Sequence, residues 1–230
     1  KSKIQIIQDI AAELPIAPVV SYFLCDSWYT SAKVIDCFAK KGFYTIGGFK
    51  NQPNPLSLGI RQKASVFALH LRKTDPNISF VTVDKRQFYV YRYDGNLNDV
   101  PNAVVLLSYP AECFGIPKAL RIFVSTNAAL STQEILRLYT QRWQIELFFR
   151  QSRKKLGLDK YQLRSQKGIP RYWLMMSFVH YMCCTCKETY CSFDEGYAYM
   201  QQELKAEYLK HLFRVIKSGA TFEEVLEIAG

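Results

Sequence analysis

Residues 19–49 read VVSYFLCDSWYTSAKVIDCFAKKGFYTIGGF. The run Val19 to Leu24 is continuous and apolar, so it reads as a buried strand that ends at Cys25-Asp26. Ser31 to Lys41 carries Val34, Ile35, Cys37, Phe38 and Ala39 as an amphipathic helix would, and Phe43 to Phe49 reads as a second strand. Strand, helix, strand in that order implies two adjacent parallel strands joined by a right-handed crossover. Asp26 then lies just past the carboxyl end of a central strand, where α/β sheets gather functional groups. An Asx turn or a helix cap is the plainer role for the same aspartate.

Outward from this unit, Ile4 to Leu14 has helical spacing and is stopped by Pro15 and Pro18. Downstream, NQPNPLSLG at residues 51–59 is rich in proline and punctuation and reads as a boundary. Ser65 to Arg72, Ile78 to Val83, Gln87 to Tyr93, Val104 to Tyr109 and Leu120 to Ser125 follow as short β-branched and aromatic runs, with Asp94-Gly95 among the turns. They predict an antiparallel sheet. Tyr89, Tyr91 and Tyr93 fall on one face of a strand, either as half-buried sheet surface or as a platform for stacking bases.

Helical spacing returns at Ser131, where Ser131 and Glu134 form a capping box. The helix it opens is expected to run through YTQRWQIELFFRQSRKK, residues 139–155. At about 100° per residue, Tyr139, Arg142, Glu146, Arg150 and Arg153 share an arc of roughly 80°. Trp143, Leu136 and Leu147 border it on one side, and Leu138, Ile145, Phe149 and Leu156 on the other. A glutamate among large apolar groups is costly to bury without a cation or donors. The spacing equally fits a structural Arg142–Glu146 pair one turn apart. The remaining chain reads as helical: a helix from Arg171 to Tyr190, another from Leu204 to Lys217 stopped at Gly219, and a short one capped by Thr221 and Glu224.

The chain has 230 residues, is 49% hydrophobic and carries a net charge of +10. That composition is globular, with core enough to need no staples, and the charge favours a polyanionic partner such as nucleic acid. The seven cysteines include Cys183, Cys184, Cys186 and Cys191. They continue the apolar run WLMMSFVHYMCC and lack a second paired knuckle, so small buried thiols are expected rather than a metal centre. An odd count without a secretory segment points to a reducing cytoplasm. The run from Trp173 to Cys186 is too short to span a bilayer, and His180 within it reads as a satisfied interior histidine.

Taken together, these residues resemble DDE transposases of the bacterial insertion-sequence four group, over nearly the whole chain. Tyr139, Arg142 and Glu146 match the spacing of the group's Y-x2-R-x3-E-x6-K signature, with Arg153 in place of the final lysine and Lys154 beside it. Leu156-Gly157-Leu158, Gln162-Leu163-Arg164-Ser165, Asp26 to Ser31 and Lys50-Asn51 also look like the family. The resemblance implies an α/β fold: a partial RNase H-like core (1–62 and 127–190) interrupted by an antiparallel β insertion (63–126) and followed by a C-terminal helical tail (191–230). It also implies catalytic, metal-holding roles for Asp26 and Glu146 as the second and third acids of a two-metal site. Mg2+, or Mn2+, suits such oxygen ligands. Tyr139, Arg142, Arg150, Arg153, Lys154 and Lys50 would handle double-stranded DNA.

The family's first acid lies on a strand upstream of the one ending at Asp26. Only one helix precedes that strand here, and Asp9 lies inside it, so the chain is expected to be truncated at its N-terminus. Two readings follow. The chain is the catalytic region of a transposase that cuts and joins DNA at element ends, acting as a homodimer away from any membrane. Alternatively it is a catalytically incomplete fragment that binds DNA or dimerises with an intact enzyme.

Overall fold

The computed structural model describes residues 1–49, 56–57, 61–97, 100–187 and 191–229. Its contacts divide the chain into two compact units, Lys1–Trp143 and Gln144–Gly230.

The first unit is built on one sheet. Helix α1 (Lys3–Glu13) is capped by Ser2, whose hydroxyl accepts from the amide of Gln5. Strand β1 (Ser21–Cys25), helix α2 (Ala32–Ala39) and strand β2 (Phe43–Gly48) form the expected crossover, with β1 and β2 parallel. The strand starts later than its apolar run, for Val19 and Val20 are largely exposed. A two-residue pair, β3 (Leu56–Ser57) with β4 (Arg61–Gln62), is followed by helix α3 (Ala64–Ala68). Ser65 to Arg72 is therefore not a strand. Ala64 and Ala68, one turn apart, are both buried, and their small side chains let a helix lie close on its neighbour where the local pattern alone is ambiguous.

Strands β5 (Ile78–Val83), β6 (Arg86–Leu97), β7 (Val100–Pro110) and β8 (Arg121–Ser125) are antiparallel, as their sequence predicts. They share a sheet with the crossover unit, in the order β1-β2-β8-β7-β6-β5, so among the described residues the strand before Asp26 lies at the sheet edge and not at its centre as expected, because β8 pairs with the far side of β2. Asp94-Gly95 is no turn. Gly95 pairs with Ala103 inside β6, beside a register shift before Leu97. The β5–β6 reversal is made by Asp84 and Lys85, both at positive φ (48° and 65°), the pair of left-handed conformations that a tight hairpin needs.

Helix α4 (Thr132–Thr140) packs Ile135 and Leu136 against Ile46, Val90, Val104 and Leu106. The alternate residues of β7, Ala103, Val105, Leu107 and Tyr109, join Ala64 and Ala68 in a second cluster. Both faces of β7 are thus covered, which explains seven consecutive buried residues where a one-sided strand would alternate. Ala11, Val34 and Phe38 form a third cluster with Phe23 and Phe43, and the Phe23 and Phe38 rings stack at 3.6 Å. The tyrosine row is sheet surface rather than an open platform: Tyr91 meets Phe67, and Tyr91 and Tyr93 pack on the second cluster.

The second unit is helical. Helix α5 (Trp143–Lys155) leads to α6 (Gly168–Thr185), α7 (Phe193–Lys217) and α8 (Phe222–Ala229). The predicted capping box at Ser131 and Glu134 is present on α4, and a second stands at Ser192 and Glu195 on α7. Thr221 and Glu224 exchange the predicted bonds before α8. Gly157 and Gly219 stand at positive φ after α5 and α7. The continuous helix expected from Ser131 is two helices. At the junction Gln141 and Arg142 donate to Leu138 and Tyr139, tight i to i+3 bonds that interrupt the regular ladder.

His180 is the satisfied interior histidine that the sequence predicts. Its Nε2 lies 3.0 Å from Gln151 Oε1, its ring stacks on Phe193 at 4.5 Å, and burial lowers its pKa. The cysteines are all free thiols. Cys186 and Cys191 both point their sulfurs at the carbonyl of Cys183. Among the described residues no helix is long and apolar enough to cross a membrane. The architecture as a whole is α/β with C-terminal helices, consistent with a partial RNase H-like core.

Candidate active site

Asp26 follows the last residue of β1. Its Oδ1 accepts the amide of Trp28 at 2.8 Å, the Asx turn that its type and place suggest. That bond fixes one carboxylate oxygen and turns the chain sharply toward α2. Thr30 closes the turn. Its hydroxyl lies 2.6 Å from the carbonyl oxygen of Gly48 and 3.0 Å from that of Asp26, so one side chain ties the ends of the two parallel strands.

Gly47 and Gly48 at the end of β2 leave room for this. A Cβ on Gly47 would collide with Thr30 and come within 2.9 Å of Cys25 Sγ, and one on Gly48 would come within 3.0 Å of the Tyr139 hydroxyl. Tyr139 therefore reaches the sheet end from α4, with its ring 4.7 Å from Phe123. Arg142 sits with its guanidinium carbon 5.5 Å from the centre of the Tyr139 ring and hydrogen bonds the phenol. Burial raises the Tyr139 pKa, and the Arg142 charge opposes the rise. Burial likewise pushes the Cys25 thiol up to about 11, against its hydrogen bond with Thr30. Both groups are therefore protonated near neutrality.

Asp26, Ser27, Gly48, Tyr139 and Arg121 line one cleft of about 390 Å³ in the first unit. Its walls are Phe49, Leu120, Ile122 and Phe123.

In the second unit, Glu146, Phe149, Arg150, Arg153 and Lys154 line a groove along α5. These positions are three and four residues apart, so one helix face presents a carboxylate followed by three cations. The other face of α5 is occupied. Gln151 meets His180, Phe148 packs edge-on to that ring at 4.9 Å, and Lys155 pairs with Asp194 at 2.8 Å. The apolar borders expected beside Glu146 are only partly covered: Trp143 and Ile145 are each about half exposed.

Of the candidate residues expected from the sequence, the structure gathers Asp26, Tyr139 and Arg142 at one sheet end and aligns Glu146, Arg150, Arg153 and Lys154 on one helix. Lys50 lies outside the described residues. Sequence reading gave no role to Thr30 or Arg121. Thr30 was visible only as part of a motif, and Arg121 had no signal, because its place is fixed by the antiparallel pairing of β8 with β2.

Carboxylate oxygens are the donors that a hard divalent cation takes, and Asp26 and Glu146 are of that kind. Among the described residues no group of three or more His, Cys, Asp or Glu side chains is gathered to hold a metal ion. The donor type fits such an ion.

The comparison with curated proteins finds no match. The protein-family profile for the transposase DDE domain matches residues 1–182. That span includes Asp26 in the first unit and Glu146 to Lys154 in the second. The chain belongs to the transposase DDE domain family.

Proposed function

We propose that the chain is the catalytic region of a transposase of the insertion-sequence four group, which hydrolyses a phosphodiester at an element end and transfers the freed strand to target DNA. Membership of the DDE family carries the transposase function and its DNA partner. The observation that carries the finer reading is the arrangement along α5, where Glu146 shares one groove with Arg150, Arg153 and Lys154. A carboxylate followed by cations at helical spacing suits a group that works beside phosphates, because positioning contacts to DNA go mainly to phosphate oxygens.

Asp26 and Glu146 would hold the divalent ions, Mg2+ or Mn2+. Such ions, when bound, polarise the phosphoryl oxygens and stabilise the attacking and leaving groups. The chain's own residues do the rest. Asp26 keeps its carboxylate oriented through the Trp28 amide. Tyr139 presents a neutral phenol, held by Arg142, to the DNA end. Arg150, Arg153 and Lys154 neutralise backbone phosphates. The core is divided as 1–62 and 127–190, with 63–126 inserted and 191–230 as a helical tail, and two copies act on two ends.

The experiment is cleavage of a DNA end by the complete protein with and without divalent metal. Glu146→Gln is expected to abolish metal-dependent cleavage while leaving DNA binding in place. Wild-type cleavage by that variant sinks the assignment of Glu146.

A second reading is a DNA-binding or dimerising fragment without catalysis. It predicts salt-sensitive DNA binding and no cleavage by this chain alone. Detectable metal-dependent cleavage by the chain removes it.

A further inference from the structure

We infer that Arg121 is a phosphate-positioning residue that holds the DNA backbone beside Asp26, an inference that rests on the DNA-processing function proposed above. Arg121 opens β8, is exposed and lines the same cleft as Asp26 and Tyr139. Its Nη1 donates to the carbonyl oxygens of Lys118 and Leu120, both at 2.9 Å. The two acceptors belong to the 3-10 turn Pro117–Ala119 and the residue after it. They anchor one edge of the guanidinium to the main chain and leave Nε and Nη2 as donors for a ligand. Among the described residues no carboxylate lies within ion-pair distance of Arg121. Among the described residues its charge is therefore not consumed by a structural pair.

The cleft combines Asp26 and Arg121 with the apolar side chains of Phe49, Leu120, Ile122 and Phe123. A carboxylate alone would repel a phosphodiester. A guanidinium anchored on the same cleft offsets that repulsion and offers the planar fork that matches phosphate oxygens. The ligand class that uses both groups is a nucleic-acid backbone whose phosphate lies against Arg121 while its neighbour approaches Asp26.

The test is binding of a random-sequence DNA duplex by the complete protein in chelator, measured across a range of salt. Arg121→Gln is expected to weaken binding by about tenfold and to reduce the slope of log affinity against log salt by about one, whereas Arg121→Lys keeps the slope. Asp26→Asn is expected to strengthen binding less in the Arg121→Gln background than alone, the non-additivity of two groups that share a ligand. DNA should also protect Arg121 from phenylglyoxal in the wild-type protein, a readout that stands even if the Gln variant fails to fold. An unchanged slope, or modification of Arg121 at the same rate with and without DNA, overturns the inference while leaving the transposase reading intact. Absence of any salt-dependent DNA binding by the wild type overturns both.

Discussion

The hydroxyl of Thr30 lies 2.6 Å from the carbonyl oxygen of Gly48, on the strand next to the one that Thr30 follows. It is also 3.0 Å from the carbonyl of Asp26, so the side chain staples two strand ends at the point where the candidate catalytic aspartate leaves the sheet. Thr30→Val keeps the shape and removes the donor. It should cost about 1–3 kcal/mol of stability by stranding part-buried carbonyls, and Thr30→Ser should recover most of it. Urea unfolding of the two variants checks this. A Val variant as stable as wild type would show that the staple contributes nothing.

Cys25 links stability to alkaline pH. Burial raises its folded pKa from the ordinary 9.0 to about 11. The unfolded chain then loses its proton first, and stability present below pH 9 falls as pH rises toward 11. The loss should be about 3 kcal/mol at full titration. Comparing wild type with Cys25→Ala across this range isolates the effect, since the variant lacks the thiol while the buried tyrosines remain. Parallel curves would contradict it.

His180 acts at the other end of the scale. Burial lowers its pKa below the ordinary 6.5, so its contribution is present above pH 6.5 and is lost as pH falls through the lowered value. The melting temperature should drop on acidification more steeply in wild type than in His180→Gln. An NMR titration of the ring that gave a value at or above 6.5 would overturn this prediction.

Gly196 marks the closest approach in the helical unit. A Cβ there would overlap the carbonyl oxygen of Cys183 on α6. Backbone cannot step aside as a flexible side chain can, so Gly196→Ala should destabilise by about 3 kcal/mol or separate α6 from α7. Gly219 is a useful contrast, because its positive φ of 91° meets open space. Gly219→Ala should cost only about 1 kcal/mol. Circular dichroism melts of the two variants should differ clearly in that order.

Tyr139 supplies a functional test. Tyr139→Phe keeps the ring on Phe123 and removes the phenol that Arg142 holds. Folding should change little, whereas processing of a DNA end should fall by roughly tenfold or more, the scale of losing a positioned hydrogen bond near charge. Unaltered activity would restrict Tyr139 to a packing role.

The sequence by itself determined the crossover unit with Asp26 just past its first strand, both the capping box at Ser131 and the cap at Thr221, and the register of Glu146 with Arg150, Arg153 and Lys154, whereas the place of that strand at the sheet edge rather than its centre was decided by tertiary pairing. Each follows from short-range chemistry: periodicity, caps and spacing act within a few residues. Tertiary structure decided the rest. Ser65 to Arg72 is too short for its pattern to choose between strand and helix, and the buried pair Ala64 and Ala68 made the choice by close packing. Asp94-Gly95 has turn chemistry, yet pairing across β7 kept it in a strand. The helix expected from Ser131 onward is interrupted at Gln141 and Arg142, where α4 ends its packing on the sheet. Arg121 reaches the cleft of Asp26 only because β8 lies antiparallel to β2, a pairing of residues more than seventy apart that no local pattern encodes.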